Sequence, residues 1–156
     1  MKPAVQRIVD AFSTAGIEIE IQEFAGGTRT AEEAAQTVGA TVGQIVKSLV
    51  FLAGTQPILA LVSGANRVDS AKLAAAAGAP IKRVDADAVR EATGYAIGGV
   101  PPIGHATSLP TYFDQDLLQY PVVWAAAGTP NAVFRIAPED LLCASGATTV
   151  ELAATT

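Results

Sequence analysis

The segment GYAIGGVPPIGH, from Gly94 to His105, constrains the fold of this chain more than any other. Four of its twelve residues are glycine and two are proline. It cannot be a helix interior, because Pro101 and Pro102 have no N–H to give and glycine is costly there. The adjacent prolines also fix the backbone too firmly for a floppy linker. Tyr95, Ala96 and Ile97 predict a short strand that runs into a rigid turn. At Gly98 and Gly99 no Cβ stands between a ligand and the main chain, so N–H groups there could receive a carbonyl oxygen or an oxyanion. A tight turn or bulge without a ligand would have the same composition.

Composition narrows what such a turn can belong to. At 156 residues the chain is long enough for one domain with a proper core, and residues 1–156 are read as one domain. Half the residues are hydrophobic and 16% are charged, which excludes a disordered chain. No apolar run reaches the roughly 18 residues of a membrane span, and Arg7 and Asp10 in the first helical periods exclude a signal peptide. A single cysteine, Cys143, rules out an internal disulfide framework and fits a reducing cytoplasm. With one cysteine and one histidine, a Cys/His zinc site is not expected, and no other metal or cofactor is. The net charge of −5 argues against a protein that grips DNA or long RNA by its phosphates, but not against one that touches a nucleic-acid end. Arg67, Lys72, Lys82, Arg83 and Arg90 cluster in the central stretch. Asp69, Asp85, Asp87 and Glu91 are interleaved with them, as on a solvated, salt-bridged face.

The rest of the chain alternates helical and strand signals. Val5, Ile8, Val9 and Phe12 predict a helix over Pro3–Ala15 that Gly16 stops. Ile17–Phe24 alternates as a half-exposed strand. Thr30 and Glu33 form a capping-box pattern before an alanine-rich helix that ends at Gly39. Ile45–Gly54 and Pro57–Ser63 predict a hairpin of two apolar strands. Asp69 and Asp85 predict caps for helices to Ala77 and Thr93, with a short strand, Ile81–Val84, between them. Pro110–Phe113 predicts a strand, Asp114–Gln119 a helical turn, and Pro121–Ala127 with Ala132–Ala137 a second hairpin around GTPN. Pro138 opens a last helix, and Thr148–Leu152 is expected at a sheet edge. The order is α+β, with a mostly antiparallel, barrel-like sheet and helices around it.

Lys47 is the first chemical candidate. It is the only charge in IVKSLVFLAG and shares a face with Ile45, Leu49 and Phe51 by alternation. It must snorkel to water or meet a partner. In a pocket it could hold an anion, stabilise developing negative charge or transfer a proton. His105 stands at the exit of the glycine stretch, where a lone histidine is more often a surface or structural residue. Cys143, in LLCASG, reads as packing. GGVPPIG lacks both the dinucleotide fingerprint and the GK[ST] of a P-loop.

KSLVF at Lys47–Phe51, NRVDSAKLAAAAGA after the hairpin, and ATGYAIGGVPPIG at Ala92–Gly104 together resemble the YbaK-type aminoacyl-tRNA deacylases. These are freestanding relatives of the editing domain inserted in bacterial prolyl-tRNA synthetase. The resemblance runs from about Thr30 to Leu142. It implies hydrolysis of the ester between a wrongly attached small amino acid and its tRNA, without metal or cofactor. It also implies the aminoacyl-tRNA acceptor end as partner and an aminoacyl-tRNA synthetase as a source of tRNA affinity. The family's strand lysine falls on Lys47, expected as the catalytic residue, and its GxxxP loop on Gly98–Pro102. Gly98, Gly99, Pro102, Ile103, Gly104, His105 and Asn131 are the expected substrate-binding residues. The cysteinyl-deacylase branch has a serine where this chain has Ala126, and the alanyl-deacylase branch a histidine where it has Asn131, so the chain resembles neither. A non-catalytic module that binds a small ligand or a protein on the same fold is the alternative.

Overall fold

A computed structural model describes residues 3–24, 30–96 and 99–154. Its centre is the predicted hairpin. Strands β2 (Val46–Ala53) and β3 (Gln56–Ser63) pair antiparallel along their whole length, from Val46 opposite Ser63 to Ala53 opposite Gln56. The two residues between them, Gly54 and Thr55, make the turn, with Gly54 at a left-handed φ of 63°. Residues Ile58 to Ser63 are all buried, because β3 is covered on both faces. Leu59 and Leu61 face one core and Ile58, Ala60 and Val62 another. A continuous apolar run is the expected pattern for such a strand.

Five strands form this sheet, in the order β4-β2-β3-β5-β8, with β4 at Ile81–Arg83, β5 at Thr111–Asp114 and β8 at Thr148–Val150. β5 runs parallel to β3, and β8 runs parallel to β5. The expected tail strand is therefore at the sheet edge. A three-stranded antiparallel sheet, β1-β7-β6, stands beside it, built from Ile21–Glu23, Ala132–Ile136 and Val123–Ala126. A parallel bridge between Ile45 and Trp124 joins the two sheets without closing them into a barrel. The architecture is α+β and mostly antiparallel, as expected.

Helices α1 (Pro3–Thr14), α2 (Ala31–Val38), α3 (Ser70–Ala77), α4 (Ala86–Thr93) and α5 (Pro138–Ser145) surround the sheets. Thr30, Asp69 and Asp85 cap α2, α3 and α4 through their side chains, as their positions predict. Val5, Ile8 and Phe12 bury the inner face of α1, and the Phe12 ring meets Phe134 of β7 edge-on at 5.0 Å. Among the described residues no helix is long and apolar enough to cross a membrane.

Two strand expectations change. Ile17–Phe24 contracts to Ile21–Glu23, because the Ile17 N–H is tied back to the Phe12 carbonyl at the end of α1 and β7 offers partners only from Ala132 to Phe134. Tyr95 and Ala96 form no strand; Tyr95 is held in a turn by its N–H bond to the Thr93 hydroxyl. Ile97 lies outside the described residues. Removing the Phe12 ring should expose how far α1 holds the small sheet. Phe12→Ala is expected to cost about 3–5 kcal/mol, read as a lowered urea midpoint.

Candidate active site

The site begins where the large sheet is incomplete. β3 pairs with all of β2, but β4 pairs only with Phe51, Leu52 and Ala53. β6 touches this side of the sheet at the Ile45–Trp124 bridge. Between them a cleft of about 620 Å³ opens along residues 46–50. Val46, Val50, Val89, Val100 and Ala125 give it apolar walls, and Lys47, Arg67 and Arg83 supply positive charge. Arg67 and Arg83 are exposed, and Thr30, Ser48 and Ser70 add hydroxyls to the lining.

Lys47 is half-buried on this strand. Its Nζ donates to the backbone carbonyl of Asn66. Burial pushes the ammonium below the usual lysine range; Glu32 and Asp114 pull it back up, and Arg67 pushes it further down. The Asn66 carbonyl is itself held in place. The Asn66 amide donates to Asp114 Oδ2 at 2.8 Å and to Asp116 Oδ2 at 2.9 Å, while the Ser63 N–H donates to Asp114 Oδ2 at 3.0 Å. Asp114 is fully buried, and the Asp116 N–H donates to its other oxygen at 3.0 Å. The carboxylate thus has several donors, which is what a buried charge requires. Sequence reasoning missed Asn66 and Asp114 as a pair. They are 48 residues apart, and only the parallel pairing of β5 with β3 brings them together.

The glycine stretch is placed differently from the expectation. Val100 lines the cleft; Gly99, Pro102, Ile103, Gly104, His105 and Asn131 are not among its described lining residues. Gly98 lies outside the described residues. Gly99 is buried and its N–H donates to the Ala96 carbonyl at 3.0 Å, so that N–H is committed within the loop. Its missing side chain has another reason: a Cβ would come within 2.9 Å of Thr129 Cα and 3.0 Å of the Gly128 carbonyl. The glycine admits the backbone of the GTPN turn, not a ligand at that point. Pro102 is buried and Ile103 packs against the main core. Asn131 gives its carbonyl to the Phe24 N–H at 3.0 Å.

His105 braces the loop. Its Nε2 is 2.7 Å from the Pro101 carbonyl, which can only accept, so Nε2 carries the proton and donates. The ring stands edge-on to Tyr95, whose hydroxyl donates to the Gly104 carbonyl at 2.7 Å. The Arg7 guanidinium of α1 lies 4.6 Å from the centre of the Tyr95 ring. Burial raises the Tyr95 phenol, and Arg7 opposes that rise. Burial lowers His105, partly offset by the Pro101 bond.

The geometry is thus a half-buried cation lining a largely apolar cleft, on a mixed sheet ringed by helices; such an arrangement is chemically suited to an acidic or developing negative group. Residues 25–143 match the family model of the aminoacyl-tRNA editing domain, and the chain belongs to that family. It is 34% identical over 125 residues to uncharacterized protein YwhH of Bacillus subtilis (strain 168), covering 80% of each chain. It is 33% identical over 115 residues to a protein of Enterococcus faecalis (strain ATCC 700802 / V583) named "Putative Cys-tRNA(Pro)/Cys-tRNA(Cys) deacylase EbsC", covering 72% of this chain and 70% of that one. A crystal structure of "a putative trans-editing enzyme for prolyl tRNA synthetase" superposes with a TM-score of 0.93 at 50% identity, covering 99% of both chains.

Two outcomes follow from the loop. Gly99→Ala should destabilise the fold by about 1–3 kcal/mol through overpacking against Gly128 and Thr129, seen as a lower melting temperature. For His105 the folded state binds its proton less readily than the unfolded state. Its contribution is therefore complete above the ordinary value near 6.5 and lost as pH falls through the lowered folded value. Urea midpoints should drop as pH falls below about 6.5, and His105→Gln, which keeps a donor for Pro101, should flatten that drop.

Proposed function

We propose that this protein is a trans-editing aminoacyl-tRNA deacylase that hydrolyses the ester between a small non-cognate amino acid and the tRNA acceptor end. The observation that carries the reading is Lys47. Its ammonium has a fixed carbonyl partner and stands at the open edge of an apolar cleft large enough for a small aminoacyl group. Membership of the editing-domain family supports it. A relative named for a prolyl-tRNA synthetase makes that synthetase a reasonable source of tRNA affinity for a chain of net charge −5.

In this reading water attacks the ester carbonyl carbon, negative charge grows on the carbonyl oxygen, and the bond to the ribose oxygen breaks. The released ribose oxygen takes up a proton, leaving a free amino acid and a tRNA hydroxyl. Lys47 contributes positive charge near the developing anion, in surroundings where such a charge is worth more than in water. The network from Asp114 through Asn66 keeps the ammonium at one place. The glycine–proline loop acts as a braced wall, presenting Val100 to the cleft.

Single-turnover deacylation of a panel of mischarged tRNAs, with thermal melts in parallel, tests this. Lys47→Met should melt normally and lose about 100-fold or more in rate. Lys47→Arg keeps a charge but not the compact ammonium, and should recover part of the rate if charge alone matters. A normally melting Lys47→Met protein at wild-type rate would remove Lys47 from the chemistry. Because burial lowers the lysine, a mechanism that needs the cation should lose rate on the alkaline side at a lower pH than an exposed lysine would dictate.

A further inference from the structure

The hydrogen bonds at the two ends of β2 fix which way each of its backbone groups points. The Ile45 carbonyl accepts from the Gly64 N–H at 2.7 Å, toward β3, and the Gly54 N–H donates to the Pro80 carbonyl at 2.9 Å, toward β4. Backbone groups alternate sides along a strand. Odd-numbered residues of β2 therefore bond β3, and even-numbered residues face the other edge. Along that edge β4 pairs only from Phe51, and β6, which runs close to β2, bridges the chain only at Ile45. The N–H and C=O of Ser48 thus point to the cleft side, with no strand paired to them among the described residues. The Ser48 side chain stands on the face of Val46 and Val50, and its hydroxyl is buried with no hydrogen-bond partner among the described residues. A buried hydroxyl left unpaired is costly unless something else completes it.

We propose that the Ser48 edge of β2 holds the aminoacyl group as a strand one residue long, and that the group's side chain is small and carries a hydroxyl. This rests on the deacylase reading of the same cleft. In an antiparallel hydrogen-bonded pair, two opposed residues exchange both N–H···O bonds. An aminoacyl ester carries the same two groups, an ammonium that donates and a carbonyl that accepts. The Ser48 carbonyl takes the ammonium, and the Ser48 N–H takes the ester carbonyl oxygen, beside Lys47. This also supplies the donor that Gly99, bonded to Ala96, does not. Opposed side chains share a face of the sheet. The ligand's side chain then lies beside Ser48 within walls made by Val46, Val50 and Val100, and the Ser48 hydroxyl, shielded from solvent without the ligand, turns to meet it.

Two variants and one titration test this. Ser48→Pro removes the N–H on an edge where proline is tolerated. It should keep its melting temperature within a few degrees and lose about 100-fold in single-turnover rate. Ser48→Ala should lower the rate for seryl- and threonyl-tRNA about tenfold relative to alanyl-tRNA. A folded Ser48→Pro protein at wild-type rate overturns the docking, as does a Ser48→Ala protein whose preference among the three is unaltered. The titration adds 3′-seryl-amino-3′-deoxyadenosine, which has an amide in place of the ester, to ¹⁵N-labelled wild-type protein. A shift of the Ser48 amide resonance on binding is expected. Binding that leaves this resonance unmoved, or no binding at all, overturns the docking even if deacylation is found. A shifted Ser48 resonance in a protein that hydrolyses none of the tRNAs keeps the docking and removes the deacylase reading.

Discussion

The structure depends on a strand that is fully paired on one side and only partly paired on the other. Along β3, β2 has an unbroken eight-residue ladder, and β3 is buried over six consecutive residues. That ladder fixes β2 in register, so its second edge cannot shift to find partners. An unpaired edge in the middle of a sheet would normally invite another strand. Here the pairing of β4 and of β6 stops short at either end, and the gap between them is a cleft.

Charge is placed in this gap sparingly. Burial penalises the Lys47 ammonium, and the acids that favour it, Glu32 and Asp114, do not pair with it directly. Its bond is instead to a neutral carbonyl. A direct ion pair would neutralise the cation; a carbonyl orients it and leaves most of its field available. Asp114 acts at one remove, by holding the turn that carries Asn66. The salt bridge found among the described residues, Lys72 to Glu151, is on the surface away from the cleft.

Much of this was legible in the sequence because the signals were local. Alternation in KSLVF, the caps at Thr30, Asp69 and Asp85, and the turn residues of both hairpins each name an element within a few residues. The lysine stood out because it interrupts an apolar run. The roles within the glycine stretch were not legible in the same way. Gly99 reads as an opening for a ligand, yet its neighbour is the backbone at Gly128 and Thr129, some thirty residues on. His105 reads as a site residue, yet its bond is to Pro101. Ser48 has no signal of its own. Its interest comes from which strands fail to pair with it, and that depends on where the pairing of β4 and β6 stops.

The first helix has a consequence for where this unit can be cut. Arg7 lies over Tyr95, Ile8 and Ala11 border Gly104, and Ala4 borders Gly128. One helix thus underpins both the glycine–proline loop and the GTPN turn that packs against it. Yet the segment matched by the family model starts at residue 25, downstream of that helix. Transplanting the matched segment alone into another protein would leave both loops without their floor. A host would have to offer an equivalent helix, with a cation at the position of Arg7, before the cleft could keep its shape.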